Sequence, residues 1–334
     1  MASRLERAIR REREALIAGD DAAQQRLIRA WLAGRRRLEA RIARLEALLA
    51  EERTPARVMA SARYAELLRQ LDAELMDLGA LLVSETVARQ RELAEAAGES
   101  ARRLVEAQAP GLAADFATLP REAVAELVGV LGDGSPVAEA VGRRFGSFAQ
   151  QARDELAAGL VEGIGPRELA RRMGALGDGF VARHVLTTAR TETIRAHNAA
   201  SLRTFRENAD VLDGWRWLAT LSNRTCLACL NQHGRFYPLS VGFFPSHPCC
   251  RCTPIPAVKG HRLDIGPTGE QWFRSQAVAA QRKQMGTTAH AAWRNGEIRF
   301  SDFLGERNDP TWGPGVYERS QREIVGDRQE RRAA

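Results

Sequence analysis

All five cysteines of the chain lie within a stretch of 27 residues, and their spacing is that of metal ligands. Cys226 and Cys229 form a Cys-x-x-Cys pair, and a loop of about twenty residues separates them from Cys249, Cys250 and Cys252. Structural zinc takes four tetrahedral ligands, usually cysteine thiolates with or without histidine. The cluster therefore predicts a structural zinc site.

The second half of the cluster offers more ligands than one metal ion needs. Spacing alone favours Cys249 with Cys252, which repeats the Cys-x-x-Cys pair, although Cys250 with Cys252 is also sterically possible. His247 could replace one thiolate. At least one of these groups is therefore a spare, or a neighbour that orients the ligands.

We interpret the predicted site as structural, and we expect no enzymatic activity. A catalytic zinc keeps an open position beside a general acid or base, and the nearest acids, Asp213 and Asp264, lie outside the cluster. Cysteine catalysis with His233 or His247 as base lacks a marked oxyanion hole and an orienting third residue. Three alternatives remain for the cluster: redox chemistry, a His-Asn-His nuclease that uses His233 with Asn231, and buried thiols that bind no metal.

The composition limits the classes of partner. The 334 residues carry a formal charge of +7, which favours polyanions or acidic partner surfaces. The basic residues are spread widely, so specific base readout is not indicated. No run approaches the roughly 18 to 20 apolar residues that cross a bilayer, and residues 1–7 lack the apolar core of a secretory signal. We therefore expect a reducing cytoplasm, where clustered cysteines bind metal more often than they form disulfides.

The elements that must position the cluster are predicted to be mainly α-helical. Residues 1–108 should form a long helical hairpin or coiled-coil stalk, because apolar residues recur at steps of three and four. Thr54 as N-cap and Pro55 at the first helical position mark the break between its two helices. Residues 109–212 should form a helical core region that ends in a long helix from about Phe180 to Asn208.

The remainder should contain a small α+β element. Residues 213–260 are predicted to form a zinc-binding module with a β-hairpin pinned by thiolates, and residues 261–334 a helical C-terminal extension with a basic tail at 327–332. Residues 163–169 suggest a turn into a helix and not a phosphate loop. In the long helix, Glu192 and Arg195 are expected to form a surface pair.

Several runs of residues resemble the phage head morphogenesis family, the minor head proteins of Mu-type tailed phages and related siphophages. The resemblance covers about residues 180–300, and residues 1–108 match only in general character. The runs are 189–192 and 196–200 in the long helix, 217–220, 224–229, 233–237 and 245–253 around the cysteines, and 269–273, 284–286 and 293–298 further on.

The resemblance favours one set of zinc ligands. The family pattern His-Pro-x-Cys-Arg-Cys places Cys249 at its variable position and Cys250 and Cys252 at its cysteine positions. It therefore implies zinc on Cys226, Cys229, Cys250 and Cys252, with His247 as the alternative ligand or as a group that orients them. The chain departs from the family at Ser222, where an aspartate is common, so no role for an acid is carried over to that position.

The resemblance also implies a function. It suggests a non-catalytic minor capsid protein that associates with the portal protein inside the head, near the portal vertex, after assembly in the host cytoplasm. Such a protein aids head assembly and genome packaging or delivery. Further implied partners are the major capsid or scaffolding protein and packaged DNA, bound without sequence specificity, with several copies per head and no membrane. The alternatives are a metal-dependent DNA-processing nuclease and a free DNA-binding protein.

Overall fold

The computed structural model describes residues 3–44, 54–113, 115–243, 247–309 and 313–324. It is 67% helical with two small antiparallel sheets, which confirms the mainly α fold with a small β component. The predicted basic tail at 327–332 and the motif residues Pro245 and Ser246 lie outside the described residues. The helices are α1 Arg4–Ala43, α2 Pro55–Ala60, α3 Ala62–Gln108, α4 Arg121–Ala125, α5 Val137–Val161, α6 Pro166–Phe180, α7 Leu186–Glu207, α8 Leu227–Gln232, α9 Gly269–Ser275, α10 Val278–Met285 and α11 Thr287–Arg294.

The chain divides into two compact units. The first comprises Met1–Ile17, Gln90–Val128 and Thr193–Ala334, and the second comprises Ala18–Arg89 and Gly129–Glu192. The four regions 1–108, 109–212, 213–260 and 261–334 stay a prediction about the sequence. None of the described helices is long and apolar enough to cross a membrane.

In the second unit, α1 and α3 run antiparallel. The guanidinium of Arg26 donates two hydrogen bonds of 2.7 Å to the carboxylate of Glu85, and Arg37 donates two hydrogen bonds to the carboxylate of Glu74. A coiled coil is not confirmed, because the apolar stripe of these helices is covered by other helices of the unit. Its buried members share one core with α5 and α6, namely Leu71, Leu75, Leu78 and Leu82 with Phe145, Phe148 and Phe180.

The helix starts in this unit follow the sequence signals. The hydroxyl of Thr54 accepts a hydrogen bond from the Arg57 amide at 3.4 Å, and Pro55 opens α2, as predicted. Residues 163–169 form a turn into α6, which begins at Pro166. The expectation that Glu192 lies on the surface is wrong: the residue is 1% exposed, and its side chain accepts a hydrogen bond from the Gly132 amide at 3.1 Å. The loop before α5 covers it.

The predicted long helix is confirmed, with one irregular turn. A π-helical turn at Val181–Val185 joins α6 to α7, and α7 ends at Glu207, within one residue of the predicted end. Its second half, from Thr193, belongs to the first unit and lies against the loop that carries the last cysteines.

The first unit holds a three-stranded antiparallel sheet where the sequence suggested a hairpin. The strands are β1 Leu212–Leu218, β2 Phe236–Pro238 and β3 Thr253–Val258, in the order β2-β1-β3. The central strand β1 pairs with β2 along one edge and with β3 along the other, because its backbone N–H and C=O groups point to both edges, whereas a hairpin would use only one edge. The prolines of β3, Pro254 and Pro256, fit an edge strand, which can tolerate missing amide donors.

The predicted helical C-terminal extension is only partly helical. After α9, α10 and α11, a single 3₁₀ turn at Phe300–Phe303 leads into β4 Leu304–Asp309 and β5 Gly313–Glu318. These two strands pair antiparallel from Leu304 opposite Glu318. The sequence hid this hairpin because Gly, Pro and charged residues interrupt any alternation of apolar side chains.

Candidate metal centre

The first cysteine pair is held at the start of α8. Cys226 is the N-cap residue, and its Sγ accepts a hydrogen bond from the Cys229 amide at 3.3 Å. The helical turn brings Cys229 beneath Cys226, and its side chain is buried. The Cys-x-x-Cys spacing therefore places two sulfur atoms on the same side of one helix start.

The second group lies in the loop that enters β3. Cys250 and Cys252 are buried, whereas Cys249 is half-buried and has a φ of 63°, in the left-handed region. Among the described residues, the groups that could hold a metal ion are Cys226, Cys229 and His247, and Cys229, Cys250 and Cys252, with the ligand atoms of each group within 4.8 Å of one another. Cys249 belongs to neither group.

Cys229 is common to both groups and lies at their centre. Its Sγ is 3.8 Å from the Sγ of Cys250 and 3.7 Å from Nε2 of His247. In a tetrahedral site with metal–sulfur bonds of about 2.3 Å, two sulfur ligands are about 3.8 Å apart. The donor set and its spacing thus fit a metal ion such as zinc.

The ring of His247 is oriented as metal-ligating histidines usually are. Its Nδ1 lies 2.7 Å from the carbonyl oxygen of Pro248 and donates to it. This hydrogen bond leaves Nε2 facing Cys229. A backbone carbonyl on one ring nitrogen commonly fixes the ring so that the other nitrogen can bind metal.

The cluster favours thiolates, the form of cysteine that binds metal. Hydrogen bonding with Cys229, helped by His247, lowers the pKa of Cys226 to about 5. Hydrogen bonds with Cys229 and Cys252 lower the pKa of Cys250 well below its usual range. Burial alone would lower the pKa of His247, but the hydrogen bond and charge of Cys226, with the charge of Cys250, raise it to about 10.

The other two thiols retain their protons more strongly. Hydrogen bonds with Cys226 and Cys250 raise the pKa of Cys229, and burial raises the pKa of Cys252. Binding of a metal ion to these groups would therefore release protons, so affinity should fall as the pH falls.

A residue of the long helix anchors the second cysteine loop. The Asn198 side-chain amide donates a hydrogen bond to the carbonyl oxygen of Cys252 at 3.1 Å, and both groups are buried. Asn198 belongs to the run 196–200 of the long helix, but the sequence did not connect it to the cysteines. The available signal was an amide side chain among the apolar residues of a helix that precedes a metal motif.

Aromatic rings surround the cluster on the sheet side. Trp215 stacks on Tyr237 with ring centroids 4.4 Å apart, and Trp217 stacks on Phe243 at 4.2 Å. These rings share one apolar core with the buried cysteines. The core limits the access of water, which suits a closed structural site better than one that admits a substrate.

A carboxylate that the sequence analysis missed lies beside the cluster. Glu318, from β5, accepts a hydrogen bond from the Leu227 amide at 2.7 Å. Partial burial of its carboxylate, with the nearby charge of Cys226, raises the pKa of Glu318. Sequence distance concealed it, because the hairpin of β4 and β5 was not predicted. The acids considered from sequence, Asp213 and Asp264, are in neither ligand group.

The other residues that the sequence singled out have structural partners. Nδ1 of His233 accepts a hydrogen bond from the Ala219 amide at 3.0 Å, and Asn231 donates to the carbonyl oxygen of Phe300 at 2.7 Å. His233 and Asn231 are in neither ligand group. In the second unit, Arg190 binds Asp20 at 2.5 Å.

A comparison with protein families supports the resemblance seen in the sequence. Residues 150–255 match the family model described as phage Mu protein F like protein, about a third of the chain. The match confirms the resemblance to a phage head morphogenesis family and covers both the Asn198 helix and the cysteine cluster. No curated protein and no solved structure gave a significant match.

Proposed function

We propose that the cysteine cluster holds one structural zinc ion. Sulfur-rich tetrahedral sites are typical of zinc, and burial, the lowered pKa values of Cys226 and Cys250 and the 3.8 Å separation of two sulfur atoms support this choice. His247 is the alternative fourth ligand, or the group that orients the others. The proposed thiolate ligands are Cys226, Cys229, Cys250 and Cys252.

X-ray absorption at the zinc edge tests the choice of ligands. Four sulfur neighbours would support the four-thiolate site, and three sulfur neighbours with one nitrogen would identify His247 as the fourth ligand. In the first case His247→Ala should retain zinc at neutral pH, and in the second it should lose it. A metal other than zinc, or fewer than three sulfur neighbours, would contradict the proposal.

We propose further that the protein is a minor head protein that acts without catalysis. The observation that carries this proposal is the family match over residues 150–255. The proposed location is the interior of the phage head near the portal vertex, after assembly in the host cytoplasm. The proposed partners are the portal protein, the major capsid or scaffolding protein, and packaged DNA. Several copies per head would aid head assembly and genome packaging or delivery.

The role at the portal is tested by co-expression with the portal protein of the same phage. The portal protein should retain the wild-type chain through two purification steps, and purified heads should contain it. The portal protein should also retain the variant Cys249→Ser, because this change removes a thiol that lies outside both ligand groups. A chain absent from heads and not retained by the portal protein would contradict the proposal.

The absence of catalysis is supported by the ligand surplus and by the position of Glu318. The five candidate ligands exceed the four that zinc takes, so no coordination position needs to stay open for a substrate. The carboxylate of Glu318 is already engaged by the Leu227 amide. Cleavage of plasmid DNA with added metal, lost on His233→Gln or His247→Ala, would favour a nuclease. Tight duplex binding with a steep salt dependence would favour a free DNA-binding protein.

A further inference from the structure

A cleft of about 690 Å³ lies in the first unit between the start of α1 and the end of β1. The α1 side presents Arg13, and the opposite side presents His233 with Leu218 and Leu221. The cleft is separate from the ligand groups of the metal centre. Two of its hydrogen-bond donors have capacity that the described residues do not use.

The first donor is Nε2 of His233. The ring is 4% exposed, and its Nδ1 accepts a hydrogen bond from the Ala219 amide at 3.0 Å. A ring nitrogen that accepts carries no proton, so in the neutral ring the proton is on Nε2. Nε2 is buried and has no hydrogen-bond partner in the described part of the chain.

The second donor is the guanidinium of Arg13. It is half-buried, and burial lowers its pKa, while the charges of Cys252 and Glu14 raise it. Its neighbour Glu12 forms a two-bond pair with Arg103 at 2.8 Å. Arg13, by contrast, makes no hydrogen bond or ion pair with any residue that the structure describes. A guanidinium has five donors, and their natural partner is a carboxylate or phosphate.

The walls of the cleft distinguish between these two anions. Half of the ten lining residues are aliphatic, and Ile17 and Ile265 are among them. The charged lining residues are two arginines, Arg10 and Arg13, and two glutamates, Glu6 and Glu14, so the cleft offers no excess of positive charge to the successive charges of a phosphodiester backbone. A single carboxylate needs only the donors of Arg13 and His233, and the aliphatic side chains that flank it match the aliphatic half of the lining. The lining thus favours a peptide over a nucleic acid.

We propose that the cleft binds a polypeptide segment that presents one carboxylate between aliphatic side chains. The guanidinium of Arg13 and Nε2–H of His233 donate to the carboxylate, and the aliphatic wall contacts the flanking side chains. The bound carboxylate satisfies a buried donor and a half-buried cation at the same time. The site is a docking site for a protein partner and does not depend on the identity of the metal or on the role at the portal.

The test uses the full chain with ¹⁵N-labelled histidine and two capped tripeptides, acetyl-Leu-Asp-Leu-amide and acetyl-Leu-Asn-Leu-amide. The aspartate peptide should displace the Nε2 resonance of His233, and the asparagine peptide should not. Arg13→Gln should weaken binding of the aspartate peptide roughly ten- to hundredfold, because a charge-assisted hydrogen bond is lost. Arg11→Gln is the matched control: it removes an exposed charge from the same helix outside the cleft and should leave binding unchanged.

Three results would overturn the proposal. The first is an Nε2 resonance that the aspartate peptide does not move up to its solubility limit. The second is equal binding of both peptides, which would show that the cleft does not recognise the carboxylate. The third is a short single-stranded oligonucleotide that displaces the Nε2 resonance more strongly than the peptide and loses affinity in Arg13→Gln, which would assign the cleft to phosphate. Unchanged thermal unfolding of Arg13→Gln ensures that its effect is local.

Discussion

The sharpest prediction contrasts two cysteines of the cluster, Cys229 and Cys249. Cys229 belongs to both ligand groups, and Cys249 belongs to neither. Cys229→Ser should therefore abolish stoichiometric zinc, whereas Cys249→Ser should retain one zinc ion per chain. The 3.8 Å between the Sγ atoms of Cys229 and Cys250 corresponds, in a regular tetrahedron, to metal–sulfur bonds of about 2.3 Å. X-ray absorption of the wild type should give this distance.

The free energy of unfolding of the first unit should increase when zinc is bound. At free zinc about a thousandfold above the dissociation constant, binding stabilises the folded state by roughly 4 kcal/mol. For a unit of about 200 residues this corresponds to roughly 8 to 16 °C in Tm. Calorimetry in buffered zinc should show a loss of this size for Cys229→Ser and a change near zero for Cys249→Ser. Zinc retained by Cys229→Ser, or an equal loss in both variants, would refute the reasoning.

Three further predictions concern single interactions. Burial lowers the pKa of His233 to about 4 in the folded state, against about 6.5 in the unfolded state. The free energy of unfolding should therefore fall by about 3 kcal/mol as the pH falls from 6.5 to 4. Urea unfolding should show this loss in the wild type and not in His233→Gln. Arg190→Gln should destabilise the second unit by roughly 3 to 5 kcal/mol, because it leaves the buried carboxylate of Asp20 without its partner; a value below about 1 kcal/mol in urea unfolding would contradict a buried ion pair. Gly269→Ala should lower Tm by several degrees, because its Cβ would lie 1.9 Å from the carbonyl oxygen of Leu230; an unchanged Tm would contradict that close approach.

Local patterns were sufficient for the helices. Pro55 and Thr54 mark a helix start through interactions within four residues, and the structure has both. The long helix after Phe180 was likewise predicted within one residue at its end. Such features depend on backbone geometry and caps that near neighbours determine, so a single sequence carries them.

Pairings between distant segments could not be predicted. The burial of Glu192 depends on a loop sixty residues away, and the antiparallel partner of Leu304 is Glu318 in a segment without alternating apolar residues. The sequence predicted a hairpin within residues 213–260, but the pairing of the third strand β3 with β1 was not predicted. These contacts depend on which surfaces meet after the helices have formed, and sequence spacing does not record that.

The sequence by itself determined that Cys226 and Cys229 form one ligand pair and that a second group of candidate ligands follows, because ligand type and spacing are local properties. Within the second group, spacing favoured Cys249 with Cys252, and the family resemblance favoured Cys250 with Cys252. Sequence spacing could not decide whether His247 or Cys249 lies close enough to the other cysteines to be a ligand. The tertiary structure brings His247 to 3.7 Å from Cys229, leaves Cys249 outside both groups, and anchors the loop through Asn198. The physical reason is that metal ligation depends on distances near 4 Å between atoms of separate segments, and only the folded chain sets those distances.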